Sequence, residues 1–105
     1  MWYIVLSRET GKEEIKQLHT EEHRSWLDDQ HRAGRLLFSG PTADRSYGIY
    51  IMLASSRSEA ERTAAQDPFH VHGARAMEVL EWDPRRAFRL NGPTLADVER
   101  MATGK

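Results

Sequence analysis

Gly34-Arg35-Leu36-Leu37-Phe38-Ser39-Gly40-Pro41 carries a helix stop, a short apolar strand and a turn in one run. Gly34 follows a segment of polar and apolar residues at helical spacing. A helix end in the left-handed region favours a residue without Cβ there. Leu36, Leu37 and Phe38 are too few for a helix and read as a buried strand. Gly40-Pro41 predicts the exit turn, because proline locks φ and glycine accepts turn geometry that other residues resist.

Working back toward the N-terminus, Lys12 to Ala33 reads as helix, with Thr20-Glu21 marking a local restart. Ile15, His19, His23, Trp26, Leu27 and Gln30 share one stripe at three- and four-residue spacing, with Lys16, Arg24, Asp28 and Arg32 on the wet side. Trp2 to Ser7, rich in aromatic and β-branched residues, predicts a first strand that ends in the polar turn Arg8-Glu9-Thr10-Gly11. Trp2, Ile4 and Leu6 would face one way and Tyr3, Val5 and Ser7 the other.

On the C-terminal side, 42–46 reads as loop and Tyr47 to Ala54 as a third strand. Ser58 to Gln66 predicts a second helix, with Glu59 and Glu61 near its positive end. Asp67-Pro68 stops it, since the residue before proline is pushed out of the helical region. Phe69 to Gly73 is a connector with room for a helical turn, and Arg75 to Trp82 is the fourth strand. The order β-α-β-β-α-β is the split pattern of a ferredoxin-like α+β domain over residues 1–84. Both helices would lie on one face of the sheet, and a second copy of the chain is the expected cover for the other. Residues 85–105 read as a C-terminal extension, with a turn at Asn91-Gly92-Pro93 and a short helix from Thr94-Leu95-Ala96-Asp97 to Met101.

With 105 residues the chain has room for one core. Its net charge of −1 gives no whole-molecule basic field, which disfavours nucleic acid and anionic membrane as partners. The absence of cysteine excludes disulfides and thiolate chemistry, zinc–thiolate sites included. The first residues carry no basic segment and too short an apolar run for a signal peptide or membrane span, so the expected location is the cytoplasm.

Three chemistries compete for the polar residues. His19-Thr20-Glu21-Glu22-His23 matches the H-x-x-E-H string of inverted zinc peptidases, and His70 and His72 offer further nitrogens. The string is short, common in charged helices, and sits in a chain with little room for a peptidase cleft, so no metal site is assigned. Ser39 lacks the Gly-x-Ser-x-Gly setting of a nucleophile and reads instead as a hydrogen-bonding pocket residue. The third chemistry is acid–base work by His23 with Asp67 as partner. An aspartate beside an imidazole fixes its tautomer and favours its charged form. Equally, His23 suits a half-buried structural histidine and Asp67 a simple cap before Pro68. The pattern alone leaves both readings open.

His23, then Gly34 to Pro41, then Asp67-Pro68-Phe69 ahead of a last strand resemble the YCII-related proteins over roughly residues 1–84. That resemblance implies a dimeric α+β barrel in which two sheets pack face to face. It also implies a pocket with a His–Asp pair, carried here by His23 and Asp67 and lined by Ser39-Gly40-Pro41. Only His23, not His19, keeps the spacing to the Gly34-Arg35-Leu36-Leu37 run. One member is a dehydrochlorinase of chloro-hydroxyhydroquinone, and muconolactone isomerases share the architecture.

Together the residues and the resemblance lead to an expected lyase- or isomerase-type enzyme acting on an aromatic, hydroxyquinol or quinone-like catabolite, with no organic cofactor. His23 and Asp67 would be catalytic. Ser39, Gly40 and Phe69 would shape the pocket, and Arg35 or His70 would steady a developing phenolate or enolate. Trp26 belongs to the core. The alternative is a non-catalytic homodimer that binds a small ligand or serves as an accessory protein, which the fold alone does not exclude.

Overall fold

A computed structural model describes residues 1–86 together with Asp97, Glu99 and Arg100. Four strands, β1 (Trp2–Glu9), β2 (Leu36–Pro41), β3 (Tyr47–Leu53) and β4 (Arg75–Trp82), form one sheet in the order β2-β3-β1-β4. Every neighbouring pair is antiparallel. Helices α1 (Glu13–Leu18) and α2 (Thr20–Arg32) lie between β1 and β2; α3 (Arg57–Ala65) and α4 (Pro68–Val71) lie between β3 and β4. This is the ferredoxin-like α+β architecture expected from the element order. No helix among the described residues is long and apolar enough to cross a membrane.

Strand alternation divides the sheet. Tyr3, Val5 and Ser7 on β1 point toward the helices, with Tyr50 and Met52 beside them on β3 and Val79 on β4. Ala60 and Ala64 of α3 meet this layer, and Trp26 and Leu27 of α2 pack against it. Tyr3, Val5 and Met52 are fully buried, each stabilising the fold by about 1.5–3 kcal/mol relative to exposure. The opposite face carries Trp2, Ile4 and Leu6 with Ile49, Ile51 and Leu53, and Leu80 and Trp82 beside them.

Of three local features, two take the form the sequence suggested and one corrects it. The first helix divides at His19, whose φ of −115° and ψ of 13° leave the helical region. There the Thr20 hydroxyl donates to the Lys16 carbonyl at 2.9 Å, a side chain competing for a backbone acceptor. The break lies where the Thr20-Glu21 restart is expected. Second, Gly40-Pro41 is not a turn but the end of β2. Pro41 pairs with Gly48 on an edge strand, where a missing N–H costs no ladder bond on the outer side. The turn is 42–46, with Arg45 at φ 67°. Third, Phe69 and its neighbours form α4, capped by the Asp67 side chain, which accepts from the Phe69 N–H at 2.9 Å.

Gly34 does end α2 in the left-handed region, at φ 76°. Its N–H donates to the His31 carbonyl and the Arg35 N–H to that of Gln30, so the last carbonyls of the helix are satisfied. Just beyond, a bulge separates the pairs Leu36–Met52 and Phe38–Ile51. The extra residue, Leu37, reverses the alternation, so Leu36 is buried while Phe38 is 68% exposed on the far face. The next residue, Ser39, therefore pairs with Tyr50 on the helix side. Of the expected tail, only Asp97, Glu99 and Arg100 are described; they have helical backbone, and Arg100 pairs with Asp97. The expectations for Asn91-Gly92-Pro93 and the rest of that segment lie outside the described residues.

Candidate active site

His23 stands one turn into α2, and Asp67 precedes α4, the two separated by 44 residues in sequence. The fold brings them together: His23 Nδ1 lies 2.8 Å from Asp67 Oδ1. Asp67 is fully buried. The same Oδ1 accepts from the Phe69 N–H, and the Tyr50 hydroxyl donates to Oδ2 in a very short contact. Buried carboxylates demand such compensation, since an unpaired one would carry a desolvation cost of several kcal/mol. Burial first, then the charge of Asp67 and the hydrogen bond to it, push the Tyr50 hydroxyl far above its ordinary pKa. Tyr50 therefore acts as a donor throughout the physiological range.

An ionised Asp67 accepts, so in the neutral ring the proton sits on Nδ1 and Nε2 keeps its lone pair. The imidazole also stacks on the Phe69 ring, with centroids 4.0 Å apart and planes 12° from parallel. Stacking and hydrogen bond together fix the ring in two directions.

His23 lines a cavity of about 380 Å³ between α1, α2, the β2–β3 hairpin and α4. Ser39, Gly40 and Phe69 line it too, as do Tyr50, Ser7 and Gly48. The Ser39 hydroxyl is held by His31 Nε2 at 2.7 Å. Gly48 gives close approach: a Cβ there would meet Arg75 Nη1 at 3.3 Å. Four cations also line the cavity, Lys16, Arg24, Arg45 and Arg75. Glu9 is shared by two of them, at 2.6 Å from Lys16 and 2.9 Å from Arg75. Arg24 pairs with the exposed Glu21, and Arg45 has no ion pair among the described residues.

Arg35 and His70 do not line this cavity. Arg35 sits at the opposite end of β2 from Gly40 and donates to Gln30 Oε1 at 2.7 Å. His70 follows Phe69 on a helix, where successive side chains diverge by about 100°. It faces a separate hollow of about 230 Å³ with Glu61, Ala64 and Met77. Sequence reading missed Tyr50, Ser7, Gly48, His31 and the four cations. Ser7 left a signal, a polar residue in the inward-facing series Tyr3, Val5, Ser7. Tyr50 and the cations left none, because their approach depends on strand register and helix docking.

Among solved structures, 5-chloro-2-hydroxyhydroquinone dehydrochlorinase (TftG) from Burkholderia phenoliruptrix AC1100, in complex with 2,5-dihydroxybenzoquinone, has a similar fold. The TM-score is 0.66 at 22% identity, over 79% of this chain and 94% of that one. No curated protein matches the chain. The YCII-related domain matches residues 1–83, the span that holds the four-stranded sheet, helices α1 to α4 and the His23–Asp67 pair. The chain belongs to the family of YCII-related domains.

Proposed function

We propose that this protein is an acid–base enzyme of the lyase or isomerase kind, acting on an anionic or readily ionised aromatic, hydroxyquinol or quinone-like molecule. The observation that carries the reading is His23, tied through Nδ1 to buried Asp67 and opening onto a cavity of about 380 Å³. Nε2 takes the proton from a substrate O–H or C–H, and the electron pair left behind either expels a leaving group or moves to another carbon. The proton then passes from Nε2 to the product or to solvent. Asp67 holds the ring and stabilises the imidazolium that forms.

Lys16, Arg24, Arg45 and Arg75 supply the positive field that Arg35 and His70 are too remote to give. Such a field favours a phenolate or enolate as it develops. The ligand of the structural neighbour, 2,5-dihydroxybenzoquinone, belongs to the same chemical class and fits this direction. The apolar sheet face supports assembly as a homodimer with the sheets face to face.

The test is thermal shift with phenols, hydroxyquinols, quinones and muconolactones on wild type and His23→Ala, followed by kinetics on each hit. A native-state ligand raises the midpoint by mass action. We expect a stabilising aromatic whose turnover falls by about 100-fold or more in His23→Ala, the usual scale of a lost general base. Turnover unchanged in His23→Ala would remove the base from this mechanism. Binding without turnover in wild type would favour the ligand-binding alternative.

A further inference from the structure

A second histidine cluster lies outside the cavity described above. His19, at the break between α1 and α2, and His72, at the C-terminal end of α4, stack with ring centroids 3.5 Å apart and planes 4° from parallel. Glu22 reaches both: His19 Nδ1 is 3.1 Å from Oε1, and His72 Nε2 is 3.8 Å from Oε2. One ligand atom from each residue lies within 4.8 Å of the others.

We propose that His19, Glu22 and His72 form a site for a divalent transition metal of the zinc class. Two imidazole nitrogens and a carboxylate oxygen are a donor set that suits zinc, with water in the fourth position. Ligand atoms bound at about 2.1 Å in a tetrahedron stand about 3.4 Å apart, and an imidazole binds an ion in its own ring plane, so His19 and His72 must turn out of their parallel stack to close the site. All three side chains reach solvent, which allows that movement and gives the ion an entry path.

The site uses the His19-to-His23 string differently from a zinc peptidase. His23 is committed to Asp67, and the second imidazole comes from α4 instead. An ion here would join the start of α2 to the end of α4. His23 lies on the first and Asp67 caps the second, so the metal acts as a staple beside the pair rather than as a reagent. The proposal does not depend on the catalytic reading of that pair.

Full-length protein stripped with a chelator, then titrated calorimetrically with Zn²⁺, tests it. Wild type should bind about one equivalent and melt at a higher temperature when saturated. His72→Ala should weaken binding by at least the roughly 10–100-fold that loss of even an outer partner of a metal ligand costs. His72 is exposed, so this variant keeps its core; Glu22→Gln gives an independent check. His23→Ala should bind as wild type does. Co²⁺ in place of Zn²⁺ should give the visible bands of a tetrahedral ion in wild type and not in His72→Ala. Equal Zn²⁺ binding by wild type and His72→Ala would overturn the site, as would absence of binding to wild type. Loss in His23→Ala but not His72→Ala would move the metal to the other pair.

Discussion

At the scale of single residues, Asp67 sets the rules for its neighbours. Three donors converge on one buried carboxylate, from Tyr50, Phe69 and His23. Tyr50 feels this most, its ionisation opposed first by burial and next by the Asp67 charge. A group whose pKa is raised on folding contributes stability that is present in full below its unfolded value and lost as pH rises beyond it. Unfolded tyrosine titrates near pH 10. Above that pH the unfolded chain releases the proton and the native one retains it, so stability must fall. The limiting slope from one such group is about 1.4 kcal/mol per pH unit. Urea unfolding followed between pH 9 and 11 should therefore show a declining stability, and Tyr50→Phe should decline less steeply from its lower starting point. Tyr3, whose pKa burial also raises, keeps part of the slope in that variant. Parallel slopes in the two proteins would mean that Tyr50 ionises as freely folded as unfolded.

At the scale of elements, small departures from regularity place the site. The bulge at Leu37 turns Ser39 to the helix side; a strand alternating regularly from buried Leu36 would turn it away. The α2 terminus depends on Gly34 at φ 76°. An L-residue with Cβ in that region costs about 1–2 kcal/mol, and asparagine less than alanine. Gly34→Ala should lose that amount in denaturant unfolding, Gly34→Asn a smaller part of it. Equal stability of Gly34→Ala and wild type would show that the helix ends without this geometry. Here the sequence was highly informative: glycine after a periodic helix has few other uses, and the structure has the stop where it was expected. The bounds of β4, Arg75–Trp82, were equally legible from its residue pattern. Gly40-Pro41 misled because the pair is read as a turn wherever it stands, whereas an edge strand absorbs it. The Leu37 bulge was illegible, since no residue type demands it; it arises from fitting β2 to β3. The approach of His23 to Asp67 across 44 residues was invisible to periodicity; the ferredoxin-like layout made Asp67 an available partner, with the simple-cap reading equally open, and the family resemblance favoured the pair.

At the scale of the whole molecule, charge and apolar surface are both distributed unevenly. A net charge of −1 coexists with a cavity bordered by four cations, so the overall balance concealed the local field. The two sheet faces differ in the same way. Helices cover Tyr3, Val5 and Met52 on one side, while Phe38, Leu80 and Trp82 on the other are 68%, 39% and 41% exposed. Ile4, flanked by Ile51 and Leu80, continues the apolar surface across the central strand. An exposed face of this composition is a cost to an isolated chain in water and a driving force for association. The proposed dimer buries it symmetrically, the same patch meeting its own copy across a two-fold axis. Sedimentation of wild type should then give about twice the 12.1 kDa chain mass. Leu80→Lys distinguishes this face from any other interface. Leu80 is already partly exposed, so a folded monomer accommodates the charge, whereas a paired face would bury two of them against each other. The variant should sediment at the mass of one chain with its circular dichroism unchanged. A dimer that survives Leu80→Lys would place the contact elsewhere. A wild type that sediments as a single chain would leave the apolar face outside any pairing of this protein with itself.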